Sequence, residues 1–321
     1  MKGCFDLRHL HVEGLTVRNN VFMAPMAGVT DRHFRALVWE HGCGLTFSEM
    51  VSAKSIVYGN KKTWRLMDSI PEARPWAVQF FGREPDILCE AIKMLEEHPF
   101  DIVDINMGCP MPKIVNNGEG AALMRDPRLA AEMVSAAKRA SKRPVSVKIR
   151  LGFSQEGMNA VHVARAAQDS GAAWVAVHGR TREQYYAGRA DWDEIARVRA
   201  CLKIPVIGNG DIFTPLEARD RLGAVDGIML ARGALGNPWL FSRTIALLET
   251  GNLPPEPSRE QIVRTALRHL RAFAKDGGAP LHMRKHLAWY TKGFPGSAGA
   301  RRKINEAGTL DEMEAVLVGL L

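Results

Sequence analysis

Two hydrophobic rhythms alternate along most of this chain. Short, nearly continuous apolar runs rich in β-branched residues are followed by longer stretches whose apolar positions recur every three or four residues. The first rhythm predicts buried strands and the second predicts amphipathic helices. The strand runs are Val21–Met26, Leu45–Met50, Trp76–Phe81, Asp101–Asn106, Val145–Arg150, Trp174–His178, Pro205–Gly208 and Gly227–Ala231. The helical stretches are Asp31–Glu40, Glu84–Glu97, Pro127–Ala140, Met158–Asp169, Asp193–Cys201, Pro215–Leu222 and Pro238–Glu249. Asp126-Pro127 shows a plausible helix start, a capping carboxylate followed by proline at the first helical position.

Eight strands, each followed by a helix, in about 250 residues is the arithmetic of a (β/α)8 TIM barrel. An open doubly wound sheet would normally carry a G-x-G-x-x-G turn after its first strand. Here that strand ends in Ala24-Pro25-Met26-Ala27-Gly28, which disfavours the open sheet. Leu253-Pro254-Pro255-Glu256-Pro257-Ser258 is a linker by composition. Ser258, with Gln261 three residues on, opens a further helix as a capping box. One face of that helix carries Val263, Ala266, Leu267, Leu270, Phe273 and Ala274, and another carries Arg264, Arg268, Arg271 and Lys275. The expected organisation is a barrel over 1–252 and a small all-helical C-terminal domain over 253–321.

The 321 residues carry 43 Lys+Arg against 35 Asp+Glu, a net charge of +8, and 46% are hydrophobic. That balance excludes disordered, collagenous and coiled-coil chains. Location sharpens the charge. Between Arg259 and Lys303, 11 Lys/Arg stand against 2 Asp/Glu, so this stretch holds +9 and the remainder sums to −1. Trp289, Tyr290 and Phe294 are interleaved with it. Solvated helix faces usually mix signs, so this stretch points to nucleic acid. The cysteines Cys4, Cys43, Cys89, Cys109 and Cys201 are odd in number and form no C-x-x-C pair, which argues against disulfides and structural zinc. The opening MKGCFDLRHLHVEG has no apolar signal core, and no run approaches the ~18 apolar residues of a membrane span. A cytoplasmic protein is expected.

A barrel of this kind works at the C-terminal ends of its strands. Polar or reactive residues recur there: Glu49 and Met50, Gln79, Asn106 and Cys109, Lys148 and Arg150, His178 and Arg180, Asn209-Gly210-Asp211, and Ala231-Arg232-Gly233. The last two turns suit a phosphate, through glycine backbone N–H groups and the Arg232 cation. The same turns could simply connect elements. A lone Cys109 is more often a small buried hydrophobe. A strand lysine such as Lys148 needs a partner, for which a ligand anion would serve. His178 could be a satisfied core histidine or a donor to a cofactor.

Nearly the whole chain resembles the tRNA-dihydrouridine synthases, FMN enzymes that reduce uridine in tRNA. The resemblance rests on APMAGVTDRHFR at Ala24–Arg35, SEM at Ser48–Met50, QFFG at Gln79–Gly82, DINMGCPMPKIV at Asp101–Val115 and VKIRLG at Val147–Gly152. It continues in VHGRTREQYYAGRADW at Val177–Trp192, IGNGDI at Ile207–Ile212, MLARGALGNPW at Met229–Trp239 and RKHLAWYTKG at Arg284–Gly293. The subgroup it most resembles is the bacterial synthase B type. The resemblance implies an FMN-binding barrel followed by a helical tRNA-binding domain. It implies that Pro25, Met26 and Ala27 line the flavin, that Gln79 and Lys148 contact its polar edge, and that His178 holds it. Asn209, Gly210, Asp211, Ala231, Arg232 and Gly233 would bind its phosphate. Asn106 and Arg180 would hold the uracil. Met50 is a further substrate-binding candidate, and the basic stretch offers Arg264, Arg268, Arg271, Arg284 and Lys285 to the tRNA. Ala231 departs from the glycine that many relatives have there.

In the implied chemistry NADPH, or NADH, reduces the flavin, hydride goes to uracil C6, and Cys109 protonates C5. No metal, no membrane and no oligomer are implied, so a monomer is expected. Two other classes compete. A flavin barrel acting on a free pyrimidine would have no use for the basic tail. A non-catalytic RNA-binding protein would have no use for Cys109, Lys148 and His178.

Overall fold

The computed structural model describes residues 7–321, so Cys4 and the start of the chain lie outside the described residues. A hairpin comes first, β1 (Leu10–Val12) and β2 (Leu15–Val17), which the hydrophobic pattern does not predict. Its turn residues Glu13 and Gly14 both have positive φ, 46° and 82°, as a two-residue hairpin turn requires. Eight parallel strands follow: β3 (Val21–Met23), β4 (Thr46–Ser52), β5 (Trp76–Phe81), β6 (Ile102–Met107), β7 (Val145–Arg150), β8 (Trp174–His178), β9 (Val206–Asn209) and β10 (Gly227–Leu230). Their order is β3-β10-β9-β8-β7-β6-β5-β4. Phe22 bridges Leu45, and Met23 N donates to Leu45 O at 2.9 Å, which closes the ring.

The helices between and after the strands are α1 (Arg32–Glu40), α2 (Ala53–Val57), α3 (Lys61–Arg65), α4 (Pro85–Met94), α5 (Pro112–Val115), α6 (Pro127–Ala140), α7 (Ala160–Asp169), α8 (Trp192–Ala200), α9 (Pro215–Leu222) and α10 (Trp239–Thr250). This is the TIM barrel that the alternating pattern predicts. The bounds of β5, β7 and β8 agree with it. The first strand stops at Met23, and the β4–β5 ladder shifts register between Phe47 and Met50.

The lower barrel interior is apolar, with Phe22, Phe47, Ile102, Trp174 and Ile207 in one cluster. Leu10, Val12 and Val17 of the hairpin join that cluster, so the hairpin plugs the N-terminal end. The upper interior is polar. Buried Gln79, Asp104, Asn106, His178 and Asn209 lie there, with the half-buried Lys148 among them.

Four more helices complete the chain: α11 (Arg259–Lys275), α12 (Pro280–Tyr290), α13 (Ser297–Glu306) and α14 (Leu310–Val318). The Ser258–Gln261 capping box is present. Val263, Leu267, Leu270, Leu287, Ile304 and Leu317 build an apolar cluster of their own. This tail docks on α1. Asp31 caps α1 through the N–H groups of His33 and Phe34, and its carboxylate also faces His269 (3.8 Å) and His286 (3.6 Å). Gly236, in the loop before α10, lies so close to α12 that a Cβ there would stand 2.5 Å from the Trp289 backbone. No helix among the described residues is long and apolar enough to cross a membrane.

Candidate active site

The C-terminal strand ends open onto one cleft of about 530 Å³. Its walls are formed by Pro25, Met26 and Ala27 after β3, Met50 of β4, Asn106 and Cys109 around the end of β6, and Lys148 of β7. His178 of β8, Asn209-Gly210-Asp211 and Ala231-Arg232-Gly233 complete them. Gln79 and Arg180 do not line the cleft; both are buried beneath it.

Cys109 owes its position to Asn106. The Asn106 side-chain oxygen accepts from Gly108 N (3.1 Å) and Cys109 N (2.8 Å), which folds the chain sharply after β6. Asn106 Nδ2 in turn donates to Gln79 Oε1 (2.8 Å), and Gln79 Nε2 donates to Asp104 Oδ2 (2.6 Å). One directed chain of hydrogen bonds therefore runs from the Asp104 carboxylate to the Cys109 backbone. The sequence after Cys109 reads as a long loop over roughly Met111–Arg125, and the structure gives that segment local order. It folds into α5 and a 3-10 turn over Gly120–Arg125, and Ala121 N donates back to Cys109 O at 3.0 Å. Gly120 has φ +58°, and a Cβ there would lie 2.9 Å from that same oxygen.

The electrostatics give these groups distinct protonation states. Burial pushes the Cys109 thiol pKa up, against the Met111 N–H and the Arg150 and Lys148 charges, so it holds its proton at neutral pH. Burial brings Lys148 down to about 8, assisted by Arg150 and opposed by Asp104 and Cys109. Lys148 Nζ donates to Asn209 Oδ1 at 3.1 Å. Burial and then the cations Lys148, Arg150, Arg180 and Arg232 hold His178 well below its usual range, so the imidazole is neutral.

The opposite wall is a cradle for an anion. Gly210 has φ +137°, and a Cβ there would lie 2.5 Å from Ala190 Cβ. A Cβ on Gly233 would lie 2.4 Å from Ile212 O, so only glycine lets these two loops meet. Asp211 holds Arg232 from beneath at 2.8 Å, and it also accepts from Arg180 (2.6 Å) and Ala190 N (2.8 Å). Asp211 is thus the orienting residue and Arg232 the cation. Arg180 is only 1% exposed, and it spends its guanidinium on Asp211 and the carbonyls of Ala187 and Gly188.

The tail residues lie outside the cleft walls. Arg264 pairs with Glu260 (2.6 Å), Arg268 with Glu40 (2.6 Å) and Arg271 with Glu314 (2.7 Å). Two of these acids lie outside the basic stretch, so the stripe is less bare than its own window suggests. Arg284 donates to Ala307 O at 2.9 Å and ties α12 to the end of α13. Lys285 reaches the cleft lip, where a Cβ on Gly28 would lie 2.7 Å from its Nζ. Arg150, Met111, Tyr186 and Phe213 also line the cleft and had no assigned role in the sequence. Tyr186 is half exposed and sits under Arg232 (5.1 Å) and Arg150 (5.6 Å). The adjacent Tyr185-Tyr186 in an arginine-rich loop was the available signal. Among the described residues no group of three His, Cys, Asp or Glu side chains is placed to hold a metal.

Fold and cleft define a class: a barrel enzyme whose reactive groups ride on the loops at the C-terminal strand ends. The comparisons with known proteins narrow it. The family model "Dihydrouridine synthase (Dus)" matches residues 22–319. The chain is 44% identical over 299 residues to tRNA-dihydrouridine synthase B of Xanthomonas campestris pv. campestris, covering 92% of this chain and 90% of that one. It is 41% identical over 303 residues to a protein of Rickettsia bellii named probable tRNA-dihydrouridine synthase, covering 92% and 93%. Solved structures of similar fold include a 6-hydroxypseudooxynicotine amine oxidase from Pseudomonas geniculata N1, with TM-score 0.61 and 16% identity over 77% of this chain and 49% of that one. Another is a variant of NCR from Zymomonas mobilis, with TM-score 0.54 and 20% identity over 82% and 96%. The chain belongs to the dihydrouridine synthase family.

Proposed function

We propose that this chain reduces the 5,6-double bond of uridines in tRNA, with FMN in the strand-end cleft, NADPH as reductant and Cys109 as proton donor. The observation that carries this is the convergence on one cleft of a protonated thiol, a half-buried lysine and a glycine-lined anion cradle, in a chain of this family. The cleft volume, about 530 Å³, lies within the roughly 300–1,000 Å³ of small-molecule sites. The cradle fits a phosphate: its two loops meet at Gly210 and Gly233, where no Cβ fits, and Arg232 is already oriented beside them by Asp211.

When bound, FMN supplies a hydride for C6 of the uracil ring. Asn209, Gly210, Arg232 and Gly233 hold its phosphate, with Asp211 fixing Arg232 and Ala231 contributing backbone. Pro25, Met26 and Ala27 pack on its ring, and neutral His178 hydrogen-bonds to it. Lys148 places positive charge at its polar edge. Asn106 and Met50 border the uracil subsite. Gln79 and Arg180 act through Asn106 and Asp211 respectively. Cys109 keeps a proton for C5, which its raised pKa favours. The target base must leave its stack to enter the cleft, which costs least in an RNA loop. The barrel over 1–252 carries the chemistry. The tail over 253–321 grips tRNA through Arg264, Arg268, Arg271, Arg284 and Lys285. The chain works as a cytoplasmic monomer.

The test incubates the FMN-loaded protein and NADPH with unmodified tRNA and reads dihydrouridine by nucleoside mass spectrometry. Dihydrouridine in tRNA, with free uridine left unreduced, is expected. Reduction of free uridine but not of tRNA would overturn the proposal.

A further inference from the structure

The arginine stripe of α11 is compensated, each guanidinium by one carboxylate. Another cationic surface is not. Residues 53–66 hold Lys54, Lys61, Lys62 and Arg65 and no acid. Lys54 pairs with Glu84 at 2.9 Å. Lys61, Lys62 and Arg65 are exposed and form no ion pair among the described residues. Next to them Tyr58 is 76% exposed, more than any other large apolar or aromatic side chain described.

The segment is anchored at both ends. Ser52 caps α2 through Ser55 N (3.2 Å), and Asn60 caps α3 through Lys62 N (3.0 Å). Ile56 and Met67 are buried in the main core on either side, and Trp64 packs against it. Between these anchors five consecutive residues, 58–62, are exposed. The position is also informative. The segment follows directly on β4, whose Met50 lines the cleft, so it lies on the cleft face of the barrel. Arg65 borders a surface depression that also holds Phe273 and the carboxylates Asp31, Glu49, Asp68 and Asp276, of which Arg32 already pairs with Asp68 and Asp276.

We propose that the α2–α3 segment is a second RNA-contact surface, in which Lys61, Lys62 and Arg65 neutralise phosphates and Tyr58 stacks on an unpaired base. The proposal rests on the tRNA reading above and says where on the barrel the tRNA lies. Physical chemistry favours this surface over the α11 stripe. An unpaired cation releases counterions when it meets a phosphate, whereas a paired arginine must first give up its carboxylate. An exposed aromatic ring beside cations is the pattern of single-strand binding, since every base offers a face to stack on. A membrane surface would require more apolar area than the neighbours Gly59, Asn60 and Lys61 provide.

The experiment measures tRNA affinity of the FMN-loaded enzyme by filter binding over a range of salt concentrations. The variants are Lys61→Ser/Lys62→Ser/Arg65→Ser, Tyr58→Ala, and Arg264→Gln/Arg268→Gln/Arg271→Gln. The barrel triple variant should bind about tenfold more weakly at moderate salt, with a log–log salt slope smaller by about 2. Tyr58→Ala should lose about tenfold with its slope unchanged. The α11 triple should lose less than the barrel triple. Flavin reduction by NADPH should stay unchanged in all three and serves as the folding control. Should the triple fail that control, Lys61→Glu/Lys62→Glu, at two exposed positions, must show at least the same loss. Affinity within twofold of wild type in both barrel variants, with the salt slope of the triple equal to that of wild type, would overturn the proposal. A wild-type enzyme that neither binds tRNA nor forms dihydrouridine would instead overturn the functional reading beneath it.

Discussion

Replacing Asp104 with asparagine should stabilise this barrel, by an amount set by pH. Asp104 is fully buried and accepts from Ser146 Oγ and Gln79 Nε2, both at 2.6 Å. Burial pushes its pKa up from 3.8 to about 6, against those two hydrogen bonds and the Lys148 charge. A carboxyl raised on folding holds its proton more tightly in the native state than in the unfolded chain. Its contribution to stability is therefore full below the unfolded value and is lost as pH rises through about 6. At about 1.4 kcal/mol per tenfold change, ionising it costs the fold roughly 3 kcal/mol at neutral pH. Asparagine removes that cost and keeps the geometry. Its oxygen accepts from Gln79 and its amide donates to Ser146, so the chain to Asn106 and Cys109 survives. Urea unfolding of the two proteins should give equal stabilities near about pH 4 and a gap of up to ~3 kcal/mol in favour of the variant by about pH 7. Asp104→Leu should instead lose ~2–6 kcal/mol relative to asparagine, because two buried donors are orphaned at ~1–3 kcal/mol each. An asparagine variant no more stable than wild type at neutral pH, or a gap that ignores pH, would refute the reasoning.

Three further outcomes are expected. Cys109→Ala should bind FMN and accept electrons from NADPH normally, yet form dihydrouridine about 10²–10⁴-fold more slowly; full activity on tRNA would remove the acid role. Gly233→Val drives a Cβ toward Ile212 O, at 2.4 Å in the present geometry, so the protein should lose flavin on gel filtration, and full yellow colour would count against the cradle. Arg180→Met leaves Asp211 with two of its three partners and bares the Ala187 and Gly188 carbonyls, so thermal unfolding should show a loss of ~1–3 kcal/mol, and an unchanged melting point would show these Arg180 contacts to be dispensable.

Much of this was legible because strand burial and sequence pattern coincide. β5, β7 and β8 are buried on both faces, and their apolar runs mark their bounds. Short elements escaped for a physical reason. The hairpin contributes only Leu10, Val12 and Val17 to the core, too few positions to establish a period. α2 and α3 span five residues each, little more than a turn. At the cleft, residues on strand ends were found because their strands were. Tyr186 and Phe213 were not, because loop geometry rather than periodicity brings them to the wall. The role of Arg180 could not be read either, since only the fold shows that Asp211 and the 187–188 turn consume its donors. The arginine stripe shows the limit of counting charge in a window. Glu40 lies far away in sequence and Glu314 beyond the basic stretch, yet each meets an arginine of α11.

The most direct measurement is a map of dihydrouridine in tRNA from a strain lacking this gene, restored with the wild-type chain or with Cys109→Ala. Loss of dihydrouridine at defined positions, regained with the wild-type chain and not with the variant, is the predicted result. An unchanged map in the deletion strain, or equal restoration by both chains, would contradict a thiol-dependent reduction of tRNA uridine in this cleft.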